Sequence, residues 1–120
     1  MNAVHAIRCG ALLLFVALHG CRDSPATHVV DVSLKNTELY EYPTVGGDEE
    51  GARLVTQAAH FSVSEIRRNT ATGFVATYVY QAASGFVGAD QAEIEVLAGS
   101  DGASPPKRVR RIVFRFSIHD

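Results

Sequence analysis

The chain has 120 residues, 47% hydrophobic and 20% charged, with 11 Lys and Arg against 13 Asp and Glu and a formal net charge of −2. This balance argues against a dedicated nucleic-acid binder, whose domain carries a basic face. Its two cysteines, Cys9 and Cys21, both lie in the first fifth of the chain, so the remainder holds no disulfide, thiol nucleophile or cysteine metal ligand.

In chain order, the first element is a polar start with one positive charge, Arg8, followed by the apolar run CGALLLFVAL over residues 9–18. A positive n-region, a short apolar stretch and small residues after it are the pattern of a secretory signal. The run is shorter than the ~20 residues that span a bilayer. It also lacks the polar face of a surface helix. The expected signal peptide covers residues 1–20. A mature chain from residue 21 keeps ten Lys and Arg and all thirteen Asp and Glu, for a net charge of −3. Its hundred residues amount to one domain.

Residues 21–27 are expected to be a tether and residues 28–120 one β domain. Val30, Val32 and Leu34 alternate with Asp31 and Ser33, the period of a half-buried strand. A shorter strand at Leu39–Pro43 ends on a proline suited to an edge. Gly and acidic residues over 46–51 form a loop. Strand signals return at Arg53–Gln57 and at His60–Ile66, where Phe61 and Val63 alternate with Ser62 and Ser64. A turn over 69–73 leads to Phe74–Gln81, β-favouring on both faces and therefore expected to be central. A turn at 83–85 precedes a strand at Ala92–Leu97. The Gly/Pro-rich segment 99–106 is a loop, and Val109–His119 is the last strand, with Ile112, Phe114, Phe116 and Ile118 on one face. Short strands with Gly/Pro punctuation predict an all-β sandwich or barrel, and a small antiparallel sandwich is the expected fold. The last two strands should form a hairpin in which Glu93 and Glu95 lie across from Arg111 and Arg115.

Two segments resemble known families. Leu18-His19-Gly20-Cys21 is similar to the lipobox of bacterial lipoproteins, with His19 at a usually small position. The resemblance implies cleavage before Cys21, lipidation of its sulfur and anchoring in the cell envelope. Arg22 rather than Asp after the cysteine favours the outer membrane over the inner. Ordinary secretion, with cleavage after Ala26, is the competing reading. The second segment, YQAASGFVGAD over residues 80–90, resembles the repeated pattern of bacterial Ig-like, cadherin-like domains at Tyr80, Gly85, Phe86, Gly88 and Asp90. Ala82 stands where that family usually has proline, and Ala92 and Ile94 replace its strand aromatics. The resemblance covers about residues 70–118 and implies an Ig-like sandwich in which this motif is a structural corner. Independently of it, Gly85 and Gly88 suit backbone angles a Cβ would strain, and Asp90 can accept backbone N–H bonds at a turn. NTATGF over 69–74 also resembles a loop of chagasin-like cysteine-protease inhibitors, themselves Ig-like, although it lacks that family's proline.

No catalytic set converges in the sequence. His28, His60 and His119 lack metal-ligand spacing, no cofactor is implied, and Ser62, Ser64 and Ser84 sit in no nucleophile elbow. Lys107, Arg108, Arg110 and Arg111 form a basic run suited to an anionic surface. The expected protein is a non-enzymatic, lipid-anchored interaction or structural module whose partners are the membrane, through its lipid, and another envelope protein. A periplasmic chagasin-like inhibitor presenting its sandwich loops is the alternative.

Overall fold

Alternation at period two gives each strand one face to bury, and two such faces can cover each other only as stacked sheets. The computed structural model describes residues 26–44, 51–68, 75–98 and 107–120, with the backbone alone for residues 98 and 107–109. It is all-β: seven strands and no helix among the described residues. The strands are β1 (Ala26–Lys35), β2 (Leu39–Pro43), β3 (Gly51–Thr56), β4 (Phe61–Arg68), β5 (Ala76–Ala82), β6 (Gly88–Ala98) and β7 (Lys107–His119). The expected signal peptide, Cys21 and most of the tether lie outside the described residues, as do the turn read over 69–73, the loop over 99–106 and all but Gly51 of the loop over 46–51.

One sheet has the order β1-β7-β6-β3 and the other β2-β5-β4. The expected hairpin forms, β6 and β7 pairing antiparallel from Gly88↔Ile118 to Ala98↔Lys107. The expected central strand, β5, lies between β2 and β4. One pair departs from an antiparallel sandwich: β1 runs parallel to β7, with Ala26 opposite Arg110 and Lys35 opposite His119. The pairing reaches into the expected tether, where Ala26 and Thr27 stand opposite Arg110 and Arg111.

The core lies between the sheets. Ile112, Phe114, Phe116 and Ile118 of β7 and Ala92, Ile94 and Val96 of β6 face Tyr78 and Tyr80 of β5, all 5% exposed or less. Phe114 stacks on Tyr78 with ring centroids 4.8 Å apart, and Phe116 stacks on Tyr80 at 3.9 Å. Tyr40 and Tyr42 of β2 meet these phenylalanines edge-on, at 5.1–6.0 Å. Full burial of such a side chain contributes about 1.5–3 kcal/mol, so the aromatic stack accounts for much of what joins the sheets.

The expected phase of β4 is corrected. Phe61 is 37% exposed while Ser64 is buried. A bulge between Phe61 and Val63 shifts the register against β5, and a one-residue slip exchanges the faces of a strand. The hydroxyl of Ser64 is compensated in the core by a 2.8 Å hydrogen bond with the Tyr78 hydroxyl. A second bulge between Leu54 and Thr56 of β3 leaves Val55 turned outward, 41% exposed.

The two ends of the sandwich differ. The starts of β1, β3, β5 and β7 and the ends of β2, β4 and β6 share one end, since Ala26 pairs with Arg110, Gly51 with Leu97, Pro43 with Thr77 and Arg68 with Ala76. The two sheets meet there, where a Cβ on Gly51 would stand 2.9 Å from Arg68 Nη2. The opposite end carries residues 36–38, 57–60 and 83–87.

Candidate functional site

Asp90 opens β6 on its inward side and is 7% exposed. A buried carboxylate without partners would be costly, and this one is saturated. Oδ1 accepts from the backbone N–H of Ala59 at 2.8 Å and of Gln91 at 2.9 Å. Oδ2 accepts from the N–H of His60 and from the Tyr80 hydroxyl, both at 2.9 Å. Burial pushes the carboxyl up, but these four donors outweigh it and hold its pKa below 3.8. Burial first, and then the adjacent carboxylate, push Tyr80 upward, so the phenol keeps its proton at neutral pH. For Tyr78, burial pushes the pKa up to about 12, opposed by its Ser64 bond.

The other residues of the YQAASGFVGAD segment surround this carboxylate. The chain reverses at Ala83–Phe86, where the Phe86 N–H donates to the Ala83 carbonyl at 3.0 Å. Gly85 holds the third position with φ of 74°, the left-handed angle such a turn requires. Phe86 is half-buried against the core and stacks on the His60 ring at 4.2 Å. Gly88, with φ of 140°, enters β6 beneath it. A Cβ at Gly85 would meet nothing within 4 Å. Gly85→Ala is therefore expected to cost only the backbone strain, about 1–2 kcal/mol, read as a lowered urea midpoint.

Beside this corner lies an open cavity of about 610 Å³, lined by Asp31, His60, Gln91, Arg115 and Ser117 among others. Arg115 is committed within it to a two-point pair with Asp31, at 2.8 and 3.0 Å. Both side chains are well exposed, at 58% and 72%, so breaking the pair by Asp31→Ala should cost under about 1 kcal/mol in a denaturant titration.

This pairing corrects the expected charge register. Arg115 stands opposite Gln91 on β6 and finds its carboxylate on β1, where the parallel register brings Asp31 directly alongside. Arg111 pairs with Glu93. Glu95 is 1% exposed and lies between Arg111 of β7 and Arg53 of β3, accepting from Arg53 Nε at 2.7 Å. The placement of β3 beside β6 had no signal in the sequence, which is why Arg53 went unread.

Of the basic run, Lys107 and Arg108 occupy the first strand positions of β7. Arg110 is half-buried on the inward side, its Nε without a hydrogen-bond partner among the described residues. Cys21 lies outside the described residues. His28, His60 and His119 sit on β1, on the 57–60 connection and at the end of β7, and no group of three potential metal ligands occurs among the described residues. Sequence reading missed the segment Gln57–His60. Its ends, Gln57 and His60, read as strand residues, and nothing in Gln57-Ala-Ala-His60 announces a distant aspartate.

No protein-family model matches the chain, and no curated protein matches it. Among solved structures it is similar to a cysteine protease inhibitor from Entamoeba histolytica at 10% identity, with a TM-score of 0.43 over 78% of this chain and 96% of that one.

Proposed function

We propose that the chain is a lipid-anchored, non-enzymatic Ig-like module of the bacterial cell envelope, acting through its surface as an interaction or structural element. The observation that carries this reading is the apolar run of residues 9–18 leading directly into Leu18-His19-Gly20-Cys21. A diacylglycerol on the Cys21 sulfur, with an acyl chain on the new amine, gives the multiple chains that stable anchoring takes. The absence of acid, base and nucleophile convergence in the sequence supports a non-enzymatic role. So does the commitment of Asp90, Asp31, Glu93 and Glu95 to structural partners. Without aspartate at position 22, the outer membrane is the favoured site.

Intact mass of the mature protein recovered from membranes tests the reading. A chain starting at Cys21 with the added mass of a diacylglycerol is expected, and Cys21→Ser should move the protein to the soluble fraction. An unmodified chain starting at Thr27 would overturn it.

A second reading is an inhibitor presenting its strand connections to a papain-like protease. Its support is the NTATGF segment, which joins β4 to β5 at the end where β2–β3 and β6–β7 are also joined. It requires stoichiometric inhibition; an uninhibited protease at micromolar protein sinks it.

A further inference from the structure

The parallel β1–β7 edge fixes more than the fold. Ala26 and Thr27 of β1 stand opposite Arg110 and Arg111 of β7, and Ala98 stands opposite Lys107. The first described residue and the basic run therefore share one end of the sandwich. Only five residue steps separate Cys21 from Ala26, a reach of at most about 17 Å. β1 itself, ten residues long, extends about 33 Å away from that point. A lipid on Cys21 thus cannot let the domain turn over and set its opposite end on the bilayer, because the tether is half the length of the strand it would have to pass.

We propose that the domain rests on its own membrane by the end bearing Ala26, Lys107, Arg108 and Arg110, with anionic phospholipid headgroups as the partner of that end; the proposal rests on lipidation of Cys21. Lys107 and Arg108 start the strand nearest the anchor. Arg110, at the same end, is half-buried on the inward side, so the contact falls to Lys107 and Arg108. The lipid and the basic run are the two signals that together hold a protein at an anionic surface. The acidic residues Asp48, Glu49 and Glu50 precede β3, the far edge of the same sheet, with β6 between β3 and β7. The contact therefore falls on the β1–β7 side. The Asp90 corner, with Phe86 and His60, then faces away from the bilayer. An enzyme could not reach the membrane-facing end, so lipidated protein and loop-presenting inhibitor are mutually exclusive states.

The test uses lipidated full-length protein in vesicles containing phosphatidylglycerol and a headgroup-attached quencher. A dye is placed on Thr27→Cys or on Ser84→Cys, both exposed positions at opposite ends; the lipidated Cys21 sulfur does not react. Quenching at position 27 is expected to exceed that at position 84 severalfold. Lys107→Glu with Arg108→Glu, or vesicles of phosphatidylcholine alone, should shrink the ratio. Equal quenching at both positions overturns the orientation, and a ratio indifferent to both changes overturns the headgroup contact. An unmodified intact mass instead removes the lipid itself, and the proposal with it.

Discussion

Replacing Phe114 with alanine is expected to lower the free energy of unfolding by about 3–5 kcal/mol, the range for deleting a buried phenylalanine ring. Phe114 has no exposed surface. It is the contact point of four rings: stacked on Tyr78, edge-on to Tyr42 at 5.1 Å and to Tyr40 at 6.0 Å, and beside Phe116 at 6.0 Å. The cavity left behind opens between the two sheets, with strands on both sides held in place by their own ladders, so collapse would be incomplete. Domains of this size are stable by about 5–15 kcal/mol, so the variant should lose a large part of its total and unfold at much lower urea. A shift below 1 kcal/mol would mean the sheets do not meet across this ring.

The second large effect is expected at Asp90. Asp90→Ala removes, at 2.8–2.9 Å, the acceptor of the Ala59 and His60 N–H groups and of the Tyr80 hydroxyl, which keeps the His60 carbonyl at 3.3 Å. Each hydrogen bond to a charged group contributes about 1.5–3 kcal/mol, so losing these partly buried ones should cost about 3 kcal/mol or more. Asp90→Asn keeps one acceptor oxygen and turns an amide N–H toward the remaining donors, and should fall between. The pH dependence follows from the lowered pKa. Asp90 binds its proton less readily when folded than the ordinary carboxyl near 3.8. Its extra stability is therefore complete above the unfolded value and disappears as pH falls through the folded one. Wild type and Asp90→Asn should thus differ most at neutral pH, and the gap should narrow below pH 3.8 in parallel urea titrations.

The sequence was most informative where each segment carries its own pattern. Alternation marks β7 and much of β6, with Ile112, Phe114, Phe116 and Ile118 and then Ile94 and Val96 on the inward face, while β-favouring residues on both faces mark β5. The β6–β7 hairpin follows from their being neighbours in the chain. The phase of β4 was read inverted because a bulge is set by the pairing with β5, and Ser64 looks like a surface residue until Tyr78 supplies its partner. The β1–β7 pairing joins segments 84 residues apart, as between Asp31 and Arg115, and no local feature encodes which strand will accept a free edge. At the corner, Gly85, Gly88 and Asp90 were identifiable from their side-chain chemistry. The segment that Asp90 holds, some 30 residues earlier, was not.

The parallel β1–β7 edge also sets an order of events in time. In a chain made from its N-terminus β1 emerges early and β7 much later, yet among the described residues β1's sheet neighbour is β7 alone. β1 therefore remains without this partner until β7 has emerged, and contacts of such long sequence separation form late and slowly. If Cys21 is lipidated as proposed, the modifying enzyme meets a chain whose β1 still lacks its sheet partner, so chemistry at the anchor can precede folding of the domain it will carry.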